Sequence, residues 1–250
     1  MAPINLLPFT EPWIFTLMAV LIAGSAFLQG VGGVGFTMFA APVALIFCPE
    51  LVPGPLLTLG GLVTLLTAIR ERRHIAWRPA SFAFGGRTIG TLVAILALSQ
   101  LARGPLSLLF AGVILLAVAL SVSGLKIMAT PLNVGIAGLL SGTMGTLTSV
   151  GSPPLAITLQ HNAPPTIRAT IGVILASGAS VSLVALAITG RYGIHDLLLS
   201  ATLIPFLISG FWLSNRARHR VSGPALRRGL LVFCAISAAG LVIKTIWQWV

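Results

Sequence analysis

Apolar runs long enough to cross a bilayer recur along this chain from end to end, over about 13–47, 52–69, 80–99, 105–122, 132–159, 168–189, 194–213 and 225–247. A hydrocarbon core of roughly 30 Å needs about 20 such residues as a helix. The chain therefore reads as an all-α, polytopic integral membrane protein of about eight apolar segments. A mean hydropathy of +1.03 with 8% charged residues leaves no room for a soluble domain of any size.

The net charge of +11 belongs to topology rather than to a nucleic-acid partner. The basic residues sit in short connections between apolar runs, where Lys and Arg hold a loop on the cytoplasmic side. The N-terminus lacks the basic region and cleavage site of a secretory signal, so the first apolar segment is expected to be retained. Cys48 and Cys234 stand apart from each other and from any Cys-x-x-Cys pattern, as small packing residues do. No metal-ligand spacing and no cofactor motif is present, and no Gly-x-x-x-x-Gly-Lys-Ser/Thr run marks a nucleotide site.

Two of the runs are broken by glycine. The first contains Gln29-Gly-Val-Gly-Gly-Val-Gly-Phe-Thr-Met-Phe-Ala-Ala-Pro42, and the second Ser141-Gly-Thr-Met-Gly-Thr-Leu-Thr-Ser-Val-Gly-Ser-Pro-Pro154. A shift of 112 positions lays Gly30 on Gly142, Gly33 on Gly145 and Pro42 on Pro154, then Pro53 on Pro165 and Gly60 on Gly172. Paired interruptions in two halves of an apolar chain point to the central binding site of a secondary transporter. The halves are taken as 1–126 and 127–250.

A straight helix over 13–47 would run about 52 Å, far beyond the membrane core. Each broken run therefore either crosses once with a kink or returns to its starting side, and charge decides between these. One crossing each divides the loop Lys and Arg evenly. A return puts eleven (70, 72, 73, 78, 126, 168, 216, 218, 220, 227 and 228) on the cytoplasmic side against three (103, 191 and 244) outside. With a return in each half, the crossings per half are odd. The repeat is then inverted, and both termini lie on the non-cytoplasmic side of a cell inner membrane.

Clustered glycines cost helix propensity, near 1 kcal/mol each, and Pro42, Pro153 and Pro154 lack an N–H and serve as structural breaks. Unwound backbone at membrane depth persists only where it is buried or lines a wet cavity. Its free N–H groups, at the positive end of a half-helix, suit an anion. Gly30, Gly33, Gly142 and Gly145 are the expected unwinding points, with Gln29, Thr37, Ser149 and Ser152 as donors. Arg87 is the one clearly intramembrane ionisable residue. It either snorkels to the headgroups or serves as a substrate counter-ion. The four acids, Glu11, Glu50, Glu71 and Asp196, fall in loops or at helix ends.

At the paired motifs the chain resembles the TauE/SafE sulfite-exporter family. The resemblance rests on Gly30-Val-Gly-Gly-Val-Gly35 leading to Pro42, and on Gly138-Leu-Leu-Ser-Gly142-Thr-Met-Gly145 followed by Arg168-Ala-Thr170. It departs from the family pattern at Gly145-Thr-Leu-Thr-Ser-Val-Gly151, where family members carry more glycine. The resemblance implies a permease for sulfite, an organosulfonate or a related small organic anion, and no enzyme activity. The expected partners are that anion and the lipid bilayer, with the coupling ion unspecified and a homodimer compatible. A non-transporting scaffold and an integral-membrane enzyme are the alternatives.

Overall fold

The computed structural model of the chain describes residues 11–100 and 112–217, apart from 114, 118, 122 and 126. The expected run 225–247, Cys234, His219, Arg103, Lys126, Arg218, Arg220, Arg227, Arg228 and Lys244 lie outside the described residues, and the run 105–122 is described in part. Among the described residues the regular structure is helical. Eight helices carry the argument: α1 (Pro12–Gly32), α2 (Phe36–Phe47), α3 (Gly54–Arg70), α4 (Trp77–Gln100), α5 (Pro131–Thr148), α6 (Ser152–Leu159), α7 (Pro164–Ile188) and α8 (Ile194–Ala217). Further helical residues lie within 112–121.

The helix starts are written in proline. Pro12, Pro55, Pro131, Pro153 and Pro164 all fall in the first positions of their helices, where a missing N–H costs nothing and a fixed φ helps. Thr130 adds a side-chain cap to α5 by accepting from the Asn133 N–H. Helices α1, α4, α7 and α8 are each long and apolar enough to cross a membrane.

Each glycine-broken run becomes two helices. In the first, α1 ends at an αL Gly33 (φ 79°), whose N–H reaches the Gln29 carbonyl at 2.7 Å, and α2 begins after Gly35 (φ 121°). In the second, α5 ends at an αL Ser149 (φ 67°), whose N–H reaches the Gly145 carbonyl at 2.8 Å, and α6 begins after Gly151. The two caps are the same structure, 116 residues apart rather than 112. At 116 Gly30 falls on Thr146 and Gly33 on Ser149, and of the four glycines at the first break only Gly35 still meets a glycine, Gly151, so matching glycine to glycine selects a register one turn away from the structural one.

The slip moves the unwinding points. Gly30 lies within α1, and Gly142 and Gly145 within α5, where the helices remain wound. Pro42 lies inside α2, and Pro153 and Pro154 open α6 rather than interrupting it. The unwound residues are Gly33–Gly35 and Ser149–Gly151.

Three helix pairs dominate the packing: α1 on α8, α3 on α7, and α4 on α5. Glycine sets each approach, as expected where helices associate without a hydrophobic driving force. On α4, Gly86 and Gly90 lie against the α5 backbone at Gly135, Leu139 and Thr143. In return Gly138 and Gly142 lie against the α4 backbone at Ala83 and Arg87. Gly210 faces the Ala23 carbonyl where α8 meets α1, and Gly172 faces α3 at Thr64 and Ala68. A Cβ at any of these α4, α5 or α8 positions would overlap main chain.

Candidate functional site

The two breaks meet at one cavity. Gln29, Gly35, Phe36 and Thr37 line it from the first break, and Ser149, Gly151 and Ser152 from the second. Gly60, Gly61 and Thr64 of α3, Leu175 and Ala179 of α7, and Arg87 complete most of the wall. The first residues of α2 and α6 thus face a common space, so the positive ends of two half-helices converge there. The cavity volume is about 30 Å³, room for a water or two.

Arg87 sits near the middle of α4 and is 2% exposed. Its guanidinium turns into the protein, not toward a membrane face. Nη1 donates to both the Ser141 carbonyl (3.1 Å) and the Ser141 hydroxyl (2.5 Å). Nε is buried and has no partner among the described residues. Three glycines make the space: Cβ atoms at Gly151 and Gly178 would overlap the side chain, and one at Gly145 would crowd Nη2. No residue lining the cavity is acidic, and no described carboxylate pairs with Arg87. A buried charge is expensive unless compensated, and in a membrane interior such a group marks a functional pathway. One helical turn on, Thr91 forms a closed hydroxyl group with Thr146 and Ser182, at 2.8–3.3 Å.

The side chains at the breaks divide into those that fasten the breaks and those that line the cavity. Gln29 is a fastener: its Nε2 donates to the Gly33 carbonyl at 2.8 Å, and its Oε1 accepts the Phe36 N–H at 3.2 Å. Both amide atoms therefore tie α1 to α2 across the break. Ser149 fastens the second break by donating to the Pro53 carbonyl at 2.8 Å. Thr37 and Ser152 line the cavity as the second residue of α2 and the first of α6. Pro153 and Pro154 remove two N–H donors from the first turn of α6, which leaves the Ser152 hydroxyl as the main side-chain donor there.

A family model for the sulfite exporter TauE/SafE matches residues 16–241. The chain belongs to the TauE/SafE family. It is accordingly a multi-pass membrane transporter and not an enzyme. Nothing matches among the curated proteins or the solved structures. For a TauE/SafE chain the structure brings Gln29, Thr37, Arg87, Ser149 and Ser152 to one cavity. Gly33 and Gly145 lie just behind that wall, under the side chains of Arg168 and Arg87. Gly30 and Gly142 instead serve the α1–α8 and α4–α5 contacts.

Sequence reasoning missed Gly35, Gly60, Gly61 and Gly151 as glycines that line the cavity, and missed Gly178 altogether. Gly35 carried a signal, being the last glycine before the apolar run of α2. Gly178 carried none, because its importance depends on a side chain from another helix.

Proposed function

We propose that the chain is a secondary permease for a small anion, sulfite, an organosulfonate or a related organic anion, working by alternating access around the cavity between the two breaks. One observation carries the reading: Arg87 is a buried cation without a protein carboxylate, set where two half-helix N-termini converge. A single anion there would satisfy Nε and neutralise the buried charge, with Thr37 and Ser152 as further donors. Because the resting space is water-sized, binding is coupled to movement of the breaks.

The packing supports an inverted repeat of halves meeting near 126/127. If α1, α2, α3 and α4 are equivalent to α5, α6, α7 and α8, the α1–α8 and α4–α5 pairs exchange and the α3–α7 pair maps onto itself. A two-fold axis through the α3–α7 contact has that property, and the charge distribution selects an axis in the membrane plane. The chain then lies in a cell inner membrane with the Arg70–Arg78 segment cytoplasmic and both termini outside.

The test is uptake of labelled sulfite, sulfoacetate, taurine, acetate and sulfate by proteoliposomes. The reading predicts saturable flux of one of them, with kcat/KM reduced about 30-fold or more by Arg87→Gln, the cost of removing one side of a buried charged contact. Flux unaffected by Arg87→Gln would contradict the site. Failure to move any of the anions would contradict the proposed substrate class.

A further inference from the structure

Glu71, at the C-terminal end of α3, is 7% exposed. Arg168 of α7 grips both its oxygens: Nε lies 3.0 and 3.1 Å from Oε1 and Oε2, and Nη2 lies 2.9 Å from Oε1. Such a forked, largely desolvated pair is among the stronger charged contacts and the more geometrically demanding. Arg70 braces it. Its Nη2 stands 3.9 Å from Glu71 Oε1 and donates to the Gly30 carbonyl at 2.6 Å, while Nη1 donates to Asn215 Oδ1 at 2.7 Å. Its guanidinium also lies 4.7 Å from the Phe211 ring centroid. The group therefore joins the ends of α1, α3 and α8 to the start of α7.

The group sits on the first break. The stem of Arg168 packs so closely on Gly33 that a Cβ there would overlap it. The Gly33 carbonyl holds Gln29, Gln29 holds the Phe36 N–H, and Gln29 and Phe36 line the cavity. A short run of direct contacts thus connects the ion pair to the site. The same end of the molecule carries Arg72, Arg73, Arg78 and Arg216 close by in the chain.

We propose that the Glu71–Arg168 pair, braced by Arg70 and seated on the first break, is a latch that closes the cavity toward the basic face, which opens only when the pair parts. The proposal rests on the permease reading in one respect, that the cavity must open to each side in turn. An anion arriving at the basic face competes with the Glu71 carboxylate for the same guanidinium groups, so the substrate itself favours release of the latch.

The test places a reporter thiol in the cavity, Ala179→Cys with Cys48→Ser and Cys234→Ser, in proteoliposomes sorted for one orientation. A membrane-impermeant methanethiosulfonate is applied from either face. Glu71→Gln and Arg168→Gln should each speed labelling from the basic face about tenfold, the scale of a modest shift between two states. The rate from the opposite face should not rise. The double variant should be no faster than either single one, because each already removes the shared contact. Unchanged labelling from the basic face, or an equal rise from both faces, would overturn the latch. Where Glu71→Gln fails to insert, Glu71→Asp supplies the same reading through a longer, weaker pair: a rise confined to the basic face supports the latch, and none overturns it. Anion flux measured on parallel vesicles that retain Ala179 separates the two claims. Flux with unchanged labelling sinks the latch alone, while one-sided labelling without flux sinks the permease reading.

Discussion

Arg87 concentrates the argument at the scale of a residue. It is held by one partner, Ser141, and given its space by Gly178 on a helix that the sequence does not link to it. Adding a methyl at Gly178 must push the guanidinium aside, so Gly178→Ala should raise KM about tenfold, roughly one lost charged contact. Combining it with Arg87→Gln should add nothing further, which a double-mutant cycle on uptake kinetics would check. Arg87 should also be a stability liability. A charge buried without a partner carries a desolvation cost on the order of several kcal/mol, which an apolar side chain of similar volume does not incur. Arg87→Met should therefore abolish flux while leaving thermal unfolding in detergent unchanged or shifted upward; a marked fall would mean that the charge is satisfied within the fold.

At the scale of elements, the breaks are fastened structures. Gln29→Ala would leave the Gly33 carbonyl and the Phe36 N–H unpaired in a buried place, and should cost about 1–3 kcal/mol. Faster hydrogen exchange at 33–37 than in α4 would locate the damage. Gly35→Ala should be worse tolerated than Ser149→Gly. A φ of 121° is foreign to alanine, whereas glycine at the αL Ser149 gives up only the bond to Pro53. The breaks also show what was legible in advance. That two runs were interrupted, and that donors clustered there, followed from glycine and proline content. Which glycines unwind did not, because Gly30 and Gly142 yield to a neighbouring helix and Gly145 makes room for the Arg87 side chain. Local composition cannot separate a glycine that yields to a neighbouring helix from one that adopts positive φ.

For the whole molecule, apolar length and loop charge were enough to read a helical membrane protein, and the family match over 16–241 makes it a TauE/SafE transporter. The convergence of both breaks on Arg87 was not readable, since it depends on α4 packing against α5 and α7. The proposed topology has a direct consequence. Thiols placed at His74 and Gly193, on connections flanking α4 and α8, should react with an impermeant reagent from opposite faces, with His74 on the cytoplasmic side. Labelling of both from one face would remove the inverted arrangement. The most direct measurement is to locate a bound anion, using selenite as the heavier analogue of sulfite and its anomalous scattering in crystals of the protein. A peak is expected between the first turns of α2 and α6, within hydrogen-bond reach of Arg87, and it should disappear in Arg87→Gln. A peak at Arg70 and Arg168 alone, with the central cavity empty in protein that transports the anion, would contradict it.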